Sequence, residues 1–126
     1  MSPMPFEYAV LRVVPRVDRG EFVNGAVLLY CQQAAFLGMT VRADLSPIGA
    51  LWPQADLEAI ADALAAARDV AHGAQSAGGA GQADPGRRFR WLTAPRSVAV
   101  QPGPVHTGVT DDPATDLARI AASMLG

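Results

Sequence analysis

The chain contains no lysine, and this absence excludes several kinds of active site at once. All 10 basic side chains of the 126-residue sequence are arginine. Without a lysine amine the protein cannot form a Schiff base with a carbonyl substrate. It also lacks the lysine of a Walker-type phosphate loop and the lysine of a Ser-x-x-Lys nucleophile. Enzymes that depend on a lysine side chain are therefore excluded.

Cysteine and histidine are scarce as well. Cys31 is the single cysteine, and His72 and His106 are the two histidines. One cysteine cannot form an internal disulfide, which is typical of a protein from a reducing compartment. Three widely spaced ligands cannot complete a structural zinc site, which needs four. The sequence therefore predicts neither a bound metal nor another cofactor.

Long apolar runs and a strong net charge are also missing. No run approaches the ~20 apolar residues that a membrane-spanning helix needs. The first residues have neither the basic nor the apolar region of a signal peptide. A net charge of −2 gives no overall field that would attract nucleic acid. We therefore expect a cytoplasmic protein that binds neither a membrane nor nucleic acid.

Three runs near the N-terminus have the composition of β-strands. Residues 6–14, 21–31 and 35–42 are rich in apolar, aromatic and β-branched side chains. Gly25 lies inside the second run, which suggests a β-bulge at that point. Because the links between the runs are short, they predict an antiparallel three-stranded meander.

Two later segments have helical patterns. Apolar residues spaced three and four apart from Leu57 predict an amphipathic helix that ends at Gly73. Asp112-Pro113 predicts the start of a C-terminal helix, as an N-cap followed by proline at the first helical position. Between the two helices, residues 73–86 are dominated by glycine and alanine, which predicts a flexible linker.

The remaining segments complete the predicted architecture. Residues 96–101 alternate as a short later strand, and the proline-rich residues 102–113 are expected to form a loop. The fold class is α+β: an antiparallel sheet of about four strands, made of the N-terminal meander plus one later strand, with two helices packed on it as a layer on one face. We expect residues 1–126 to form a single domain.

Two long stretches resemble a known bacterial family. They are LRVVPRVDRGEFVNGAVLLYC at residues 11–31 and RFRWLTAPRSVAVQPGPVHTGVTDDP at residues 88–113. Both are similar to the signature of the bacterial domain-of-unknown-function family 3037. Asn24-Gly25-Ala26 departs from it, because the family pattern there is Asn-Val-Gly. The resemblance implies no reaction, cofactor or substrate, but it implies a protein partner, since such proteins look like small companions of kinase-like proteins of toxin–antitoxin systems.

The first candidate site surrounds a polar residue in the middle of an apolar strand. Arg12 falls on an otherwise apolar face, which is costly unless the guanidinium is paired. Glu21 starts the next strand and is the expected partner, in a pair that would fix the strand register. The alternative is an anion site formed by Arg12 and Arg19 with Asn24 nearby, because the planar guanidinium suits phosphate and carboxylate.

The second candidate site is a loop bounded by prolines. It contains Arg96, Ser97, Gln101, His106 and Thr107. His106 could carry a proton near neutral pH, with Ser97 as nucleophile and an aspartate at 111 or 112 as the third member. One of those aspartates is needed as the helix cap, and no Gly-x-Ser-x-Gly elbow surrounds the serine. We therefore assign no catalytic residue and leave three roles open: a structural loop, a binding loop and a catalytic loop.

Residues 87–91, RRFRW, mix basic and aromatic side chains. Such a mixture can bind single-stranded nucleic acid. Five residues in an acidic protein are weak support for that role, and we interpret them as a strand with solvated arginines and a buried Phe89 or Trp91.

Two functional hypotheses follow from these observations. The first is a non-catalytic accessory or protein-interaction module that binds a kinase-like partner or forms a homo-oligomer. The second is a small enzyme or sensor that binds an anionic ligand through Arg96, His106 and either Arg12 or Arg19. The second hypothesis requires those side chains to meet in one pocket.

Overall fold

A computed structural model of the chain describes residues 3–96 and 98–126. Its strands are Met4–Val13 (β1), Val23–Cys31 (β2), Phe36–Val41 (β3), Val100–Pro102 (β4) and His106–Thr110 (β5). Its α-helices are Ser46–Leu51 (α1), Leu57–Ala71 (α2), Gly79–Gln82 (α3), Pro85–Thr93 (α4) and Pro113–Leu125 (α5), and a 3₁₀ turn spans Gln75–Ala77. The predicted α+β class with an antiparallel sheet is confirmed.

The three N-terminal strands form the predicted meander. β1 and β3 both pair antiparallel with β2, and β1 is the inner strand between β2 and the later strands. Leu11 lies opposite Ala26 and Arg12 lies opposite Asn24, so Gly25 is an extra residue in β2. The predicted bulge is therefore present. A Cβ at Gly25 would lie 2.8 Å from Val13 Cγ2, so the bulge places Gly25 against the Val13 side chain and leaves no room for a larger residue.

The later strand predicted at residues 96–101 is present only from Val100, as β4, and β5 is an additional strand, so the edge beside β1 has two parts. β4 pairs with residues 11–13 of β1 and β5 pairs with residues 4–8. Between the two parts, residues 103–105 lie opposite only residues 9 and 10, which interrupts the pairing. The prediction that residues 102–113 form a loop is therefore wrong for β5, because period-two pairing with β1 overrides the turn composition. Pro102 and Pro104 are tolerated because this strand is at the sheet edge.

Apolar side chains cover both faces of the sheet and not one. Ala9, Leu11 and Leu28 pack with α1, α2 and α4 on the first face. Phe6 and Leu29 pack with α5 on the second face. The expectation of a helix layer on one face is therefore wrong. The alternating apolar residues of β1 and β2 require cover on both sides, and the C-terminal helix provides the second cover.

The segment predicted to be a linker contains local helical structure. The 3₁₀ turn and α3 lie within residues 73–86, and Ala77 and Ala80 pack against the first core. Arg88 donates hydrogen bonds to the carbonyls of Ala83 and Ala71, at 2.7 and 3.4 Å. The segment that composition predicts to be a linker therefore contributes to the first core. The flexibility of the segment in solution and the single-domain organisation stay predictions.

Residues 87–91 are helical, so their interpretation as a strand is wrong. They belong to α4, where Asp84 is the N-cap, its carboxylate accepts from the Arg87 amide at 2.9 Å, and Pro85 opens the helix. Phe89 is fully buried, whereas Trp91 is 49 % exposed. The helix turns the buried and exposed aromatic rings in different directions, and this leaves the tryptophan available on the surface.

Candidate functional site

Four of the predicted site residues lie on one part of the sheet. Arg12 faces Asn24 on β2 and Gln101 on β4, while His106 faces Tyr8 on β1. Directly opposed residues of antiparallel strands project from the same face. Because α5 packs on β2 and β3, the part of this face over β1, β4 and β5 has little helical cover. We call this area the open sheet face and define it by Tyr8, Val10, Arg12, Gln101 and His106.

Arg12 is half-buried on the open sheet face and does not pair with Glu21. Its guanidinium carbon lies 4.3 Å from the centre of the Phe22 ring, a cation–π distance. Its Nε is buried without a hydrogen-bond partner among the described residues. The predicted pair is wrong because Glu21 is bound by Arg19, and both of these side chains remain substantially exposed. The register of β1 and β2 therefore does not depend on an ion pair at Arg12.

The residues beside Arg12 differ in the hydrogen bonds and close contacts that they make. The Asn24 side-chain amide donates to the Met124 carbonyl at 3.1 Å, which ties β2 to the end of α5. Gln101 makes no side-chain hydrogen bond among the described residues and is half-buried. A Cβ at Gly103 would lie 3.1 Å from Arg12 Nε, so the glycine provides the space that the guanidinium occupies.

His106 stacks on Tyr8, with 5.1 Å between the ring centres and 30° between the ring planes. Thr107, the next residue of β5, lies opposite Glu7 and lines a cavity on the other face of the sheet. The predicted Ser97 lies outside the described residues. Among the described residues, therefore, the loop does not bring the histidine and the threonine hydroxyl to one site.

The cavity beside Thr107 is lined in part by an ion pair between Glu7 and Arg90. Its volume is about 660 Å³. Arg90 donates two hydrogen bonds to the Glu7 carboxylate, at 2.6 and 2.8 Å. These bonds lower the pKa of the Glu7 carboxyl below its ordinary range, although partial burial opposes the effect. The pair consumes the cation, so this cavity offers no free guanidinium at Arg90.

Arg96 lies on the face opposite to His106. It donates hydrogen bonds to the carbonyls of Trp91 and Ala94, which satisfies the last turn of α4. Its guanidinium carbon lies 4.9 Å from the centre of a Trp91 ring. Arg96 and His106 therefore do not meet in one pocket, as the hypothesis of an enzyme or sensor required.

Arg96 and Trp91 border an apolar groove between α2, α4 and β4. A cavity of about 510 Å³ lies there, and Leu11, Val98 and Val100 are among its lining residues. A neighbouring cavity of about 390 Å³ shares Ala63, Val98 and Val100 with it. The two cavities form one continuous depression along α2, which we call the helical groove. Val98 is 54 % exposed in it.

The α2 wall of the helical groove consists of small side chains. Ala59, Ala63 and Ala66 are exposed and line the depression. Their spacing of four and three places them on one side of the helix. Acidic groups occur at the margin, where Asp56 and Asp69 are among the lining residues. The groove therefore has an apolar surface of small side chains with aspartates at its margin.

The helical groove was missed by sequence reasoning, although a signal for it exists. Asp84-Pro85 has the same N-cap and proline pattern as Asp112-Pro113, and each opens a helix. Had α4 been predicted from it, Trp91 would have been placed on a side of the helix different from Phe89. The pairing of Val98 and Val100 with α2 across the groove has no comparable local signal.

Within residues 3–96 and 98–126, no group of three or more His, Cys, Asp or Glu side chains is placed to hold a metal ion. No helix in those residues is long and apolar enough to cross a membrane.

Comparison with known protein families gives a match over nearly the whole chain. The model of a family described as "Protein of unknown function (DUF3037)" matches residues 8–125, which is nearly the whole chain. No curated protein and no solved structure matches significantly. The match includes the first core, the open sheet face, the helical groove and the buried residues of the second core except Phe6.

Proposed function

This chain belongs to the DUF3037 family of proteins of unknown function, and we propose that it is a non-catalytic accessory module that binds a protein partner through the helical groove. The observation that carries the proposal is the half-exposed Trp91, stacked with Arg96 beside an apolar depression. Tryptophan and arginine are the side chains that most often dominate the energy of protein interfaces. A large aromatic ring left in water beside an apolar groove is typical of an interaction site.

The shape of the groove suits a helix of the partner. Alanines on α2 let another helix approach closely, because they leave no bulky side chain between the two backbones. An amphipathic helix would place its apolar side chains over Val98 and Val100, which line the depression. Asp69 and Arg96 at the margin would then select complementary charges at the rim of the interface.

We infer that the partner is a kinase-like protein in the bacterial cytoplasm, as the family resemblance implies. A second copy of the chain is the other partner that the groove could accept. The alternative of an enzyme or anion sensor built from Arg96 and His106 has less support, because those residues lie on opposite faces of the sheet.

The test is co-purification of the tagged protein from its native cells, combined with light scattering of the purified protein. We expect a stoichiometric complex with a contact area of at least ~1,000 Å². Trp91→Ala and Val98→Asp should each reduce the yield of complex at least tenfold, because both residues border the groove.

Val109→Asp is the matched control, since Val109 is 67 % exposed on β5 and does not line the groove. The control should leave the complex intact. A complex that survives both groove substitutions, or a strictly monomeric protein with no partner, would contradict the proposal.

A further inference from the structure

The open sheet face contains a charge that the fold leaves without a counter-ion. Arg12 takes part in none of the acid–base pairs among the described residues, and its Nε is enclosed without a hydrogen-bond partner. A half-buried cation normally has a carboxylate or several carbonyls around it. Glu21, the carboxylate expected from the sequence to pair with Arg12, is bound by Arg19.

Other arginines without a carboxylate partner differ from Arg12. Arg42, Arg88 and Arg96 donate to backbone carbonyls. Arg68 is exposed on α2, where water can solvate it. Among the described residues, Arg12 combines partial burial with the absence of any hydrogen bond.

The surroundings hold the guanidinium in place without satisfying it. The Phe22 ring lies 4.3 Å from the guanidinium carbon, and the Gly103 backbone approaches so closely that an added Cβ would lie 3.2 Å from the same atom. These contacts restrict the side chain before any ligand arrives. Only Nε is fully enclosed, so the two terminal nitrogens retain access to solvent. A cation that is positioned in advance loses less freedom when it binds an anion.

We propose that Arg12 is the centre of a carboxylate-binding site on the open sheet face. One guanidinium carries one positive charge and two parallel donors, which match the single charge and two oxygens of a carboxylate. A phosphate carries up to two negative charges near neutral pH, and no second free cation faces Arg12 among the described residues. Gln101, directly opposite Arg12 on β4, supplies an uncommitted amide donor beside the fork.

The site is separate from the helical groove, which lies on the opposite face of the sheet. A carboxylate can come from a small acid or from an acidic side chain of a protein. The chemistry of recognition is the same, so the two sources differ only in the contacts around the carboxylate. Phe22, which is 46 % exposed beside Arg12, provides an apolar surface that would favour a larger ligand.

The experiment follows two signals by NMR in the isotope-labelled full chain: the Arg12 Nε–H and the side-chain amide of Gln101, which lies opposite residue 12 and is also present in the variants. The probes are sodium acetate, a blocked peptide with one glutamate, inorganic phosphate, and sodium chloride at equal ionic strength. We expect a saturable shift with a carboxylate and none with chloride. Peptide binding at least tenfold tighter than acetate identifies a protein side chain as the source, and equal affinities identify a small acid.

Two variants complete the test. Arg12→Lys keeps the charge but removes the planar fork, so carboxylate affinity should fall at least tenfold. Arg68→Lys changes an exposed arginine of α2 and should leave the affinity unchanged. The proposal is overturned if no carboxylate gives a saturable shift, if phosphate binds more tightly than both carboxylates, or if Arg12→Lys binds as well as the natural chain. Because purified protein is used, the result does not depend on whether the groove has a partner.

Discussion

Replacing Arg12 by methionine should stabilise the protein or leave its stability unchanged. Methionine keeps an unbranched chain of similar length against Phe22 but removes the enclosed Nε that has no hydrogen-bond partner. Relief of an unsatisfied buried donor contributes about 1–3 kcal/mol. Loss of the cation–π contact at a partly exposed site costs about 0.5–1 kcal/mol. The net change in the free energy of unfolding is therefore expected between about 0 and +2.5 kcal/mol.

The opposite result is expected if Arg12 were part of a register-fixing ion pair. Breaking a buried pair typically costs about 3–5 kcal/mol. The two explanations thus differ in sign as well as in size. Urea unfolding followed by circular dichroism distinguishes them, because the midpoint shifts in opposite directions.

Matched variants make the comparison specific. Arg68→Met, at an exposed position of α2, should change stability by no more than about 0.5 kcal/mol. Glu21→Gln removes only a surface pair with Arg19, worth at most about 1 kcal/mol. The reasoning is refuted if Arg12→Met and Glu21→Gln each lose more than about 2 kcal/mol and their double mutant shows strong coupling.

Two further perturbations test other parts of the fold. Asp84→Ala removes the carboxylate that caps α4, so the midpoint should fall by the equivalent of about 1 kcal/mol; an unchanged midpoint would contradict the assignment of this cap. Glu7 has a pKa lowered chiefly by its hydrogen bonds from Arg90, so its contribution to stability is present above the unfolded pKa of about 4.3 and is lost as the pH falls through the lower folded value. As the pH falls over that range, the free energy of unfolding should decrease less in Glu7→Gln than in the natural chain, by up to about 1 kcal/mol for a surface pair. An equal decrease in both proteins would refute this role of Glu7.

The N-terminal half of the fold could be predicted because its signals are local. Period-two apolar residues fix β1, and Gly25 marks the bulge because a side chain there would collide with Val13. The α2 boundaries also follow from local chemistry, since the Asp56 carboxylate accepts from the Ala59 amide and Gly73 has φ +69°. These residues act on their immediate neighbours, so their roles can be inferred from the sequence.

The C-terminal half of the fold depends on contacts between residues that are far apart in the sequence, and local patterns do not reveal such contacts. β5 is a strand because it pairs with β1, a contact across about 100 residues that overrides the composition of a loop. The glycine- and alanine-rich segment packs because Ala77 and Ala80 contact the first core, most of whose residues lie far away in the sequence. Asp84-Pro85 indicates the start of α4, whereas the basic and aromatic residues 87–91 on their own favour a strand.

The residues of the candidate site likewise include some that local sequence patterns identify and others that only long-range contacts reveal. Arg12 could be recognised as unusual from its place on an apolar strand face, since the face is a local property. The lack of an ion-pair partner for Arg12 could not be recognised from the sequence. Glu21 is the expected partner, but Arg19 lies close enough to bind Glu21 in its place. Arg96 and His106 are only ten positions apart in the sequence, yet an intervening edge strand and alternation place them on opposite faces.

The measurement that tests the helical groove most directly is quenching of Trp91 fluorescence by acrylamide. In a Trp52→Phe background Trp91 is the only tryptophan, because the chain has two. Trp91 is 49 % exposed in the single chain, so free protein should be quenched readily, and the complex with the co-purified partner should show a several-fold lower quenching constant. If the partner binds and Trp91 remains equally accessible, the partner docks elsewhere and the groove is not the interaction site.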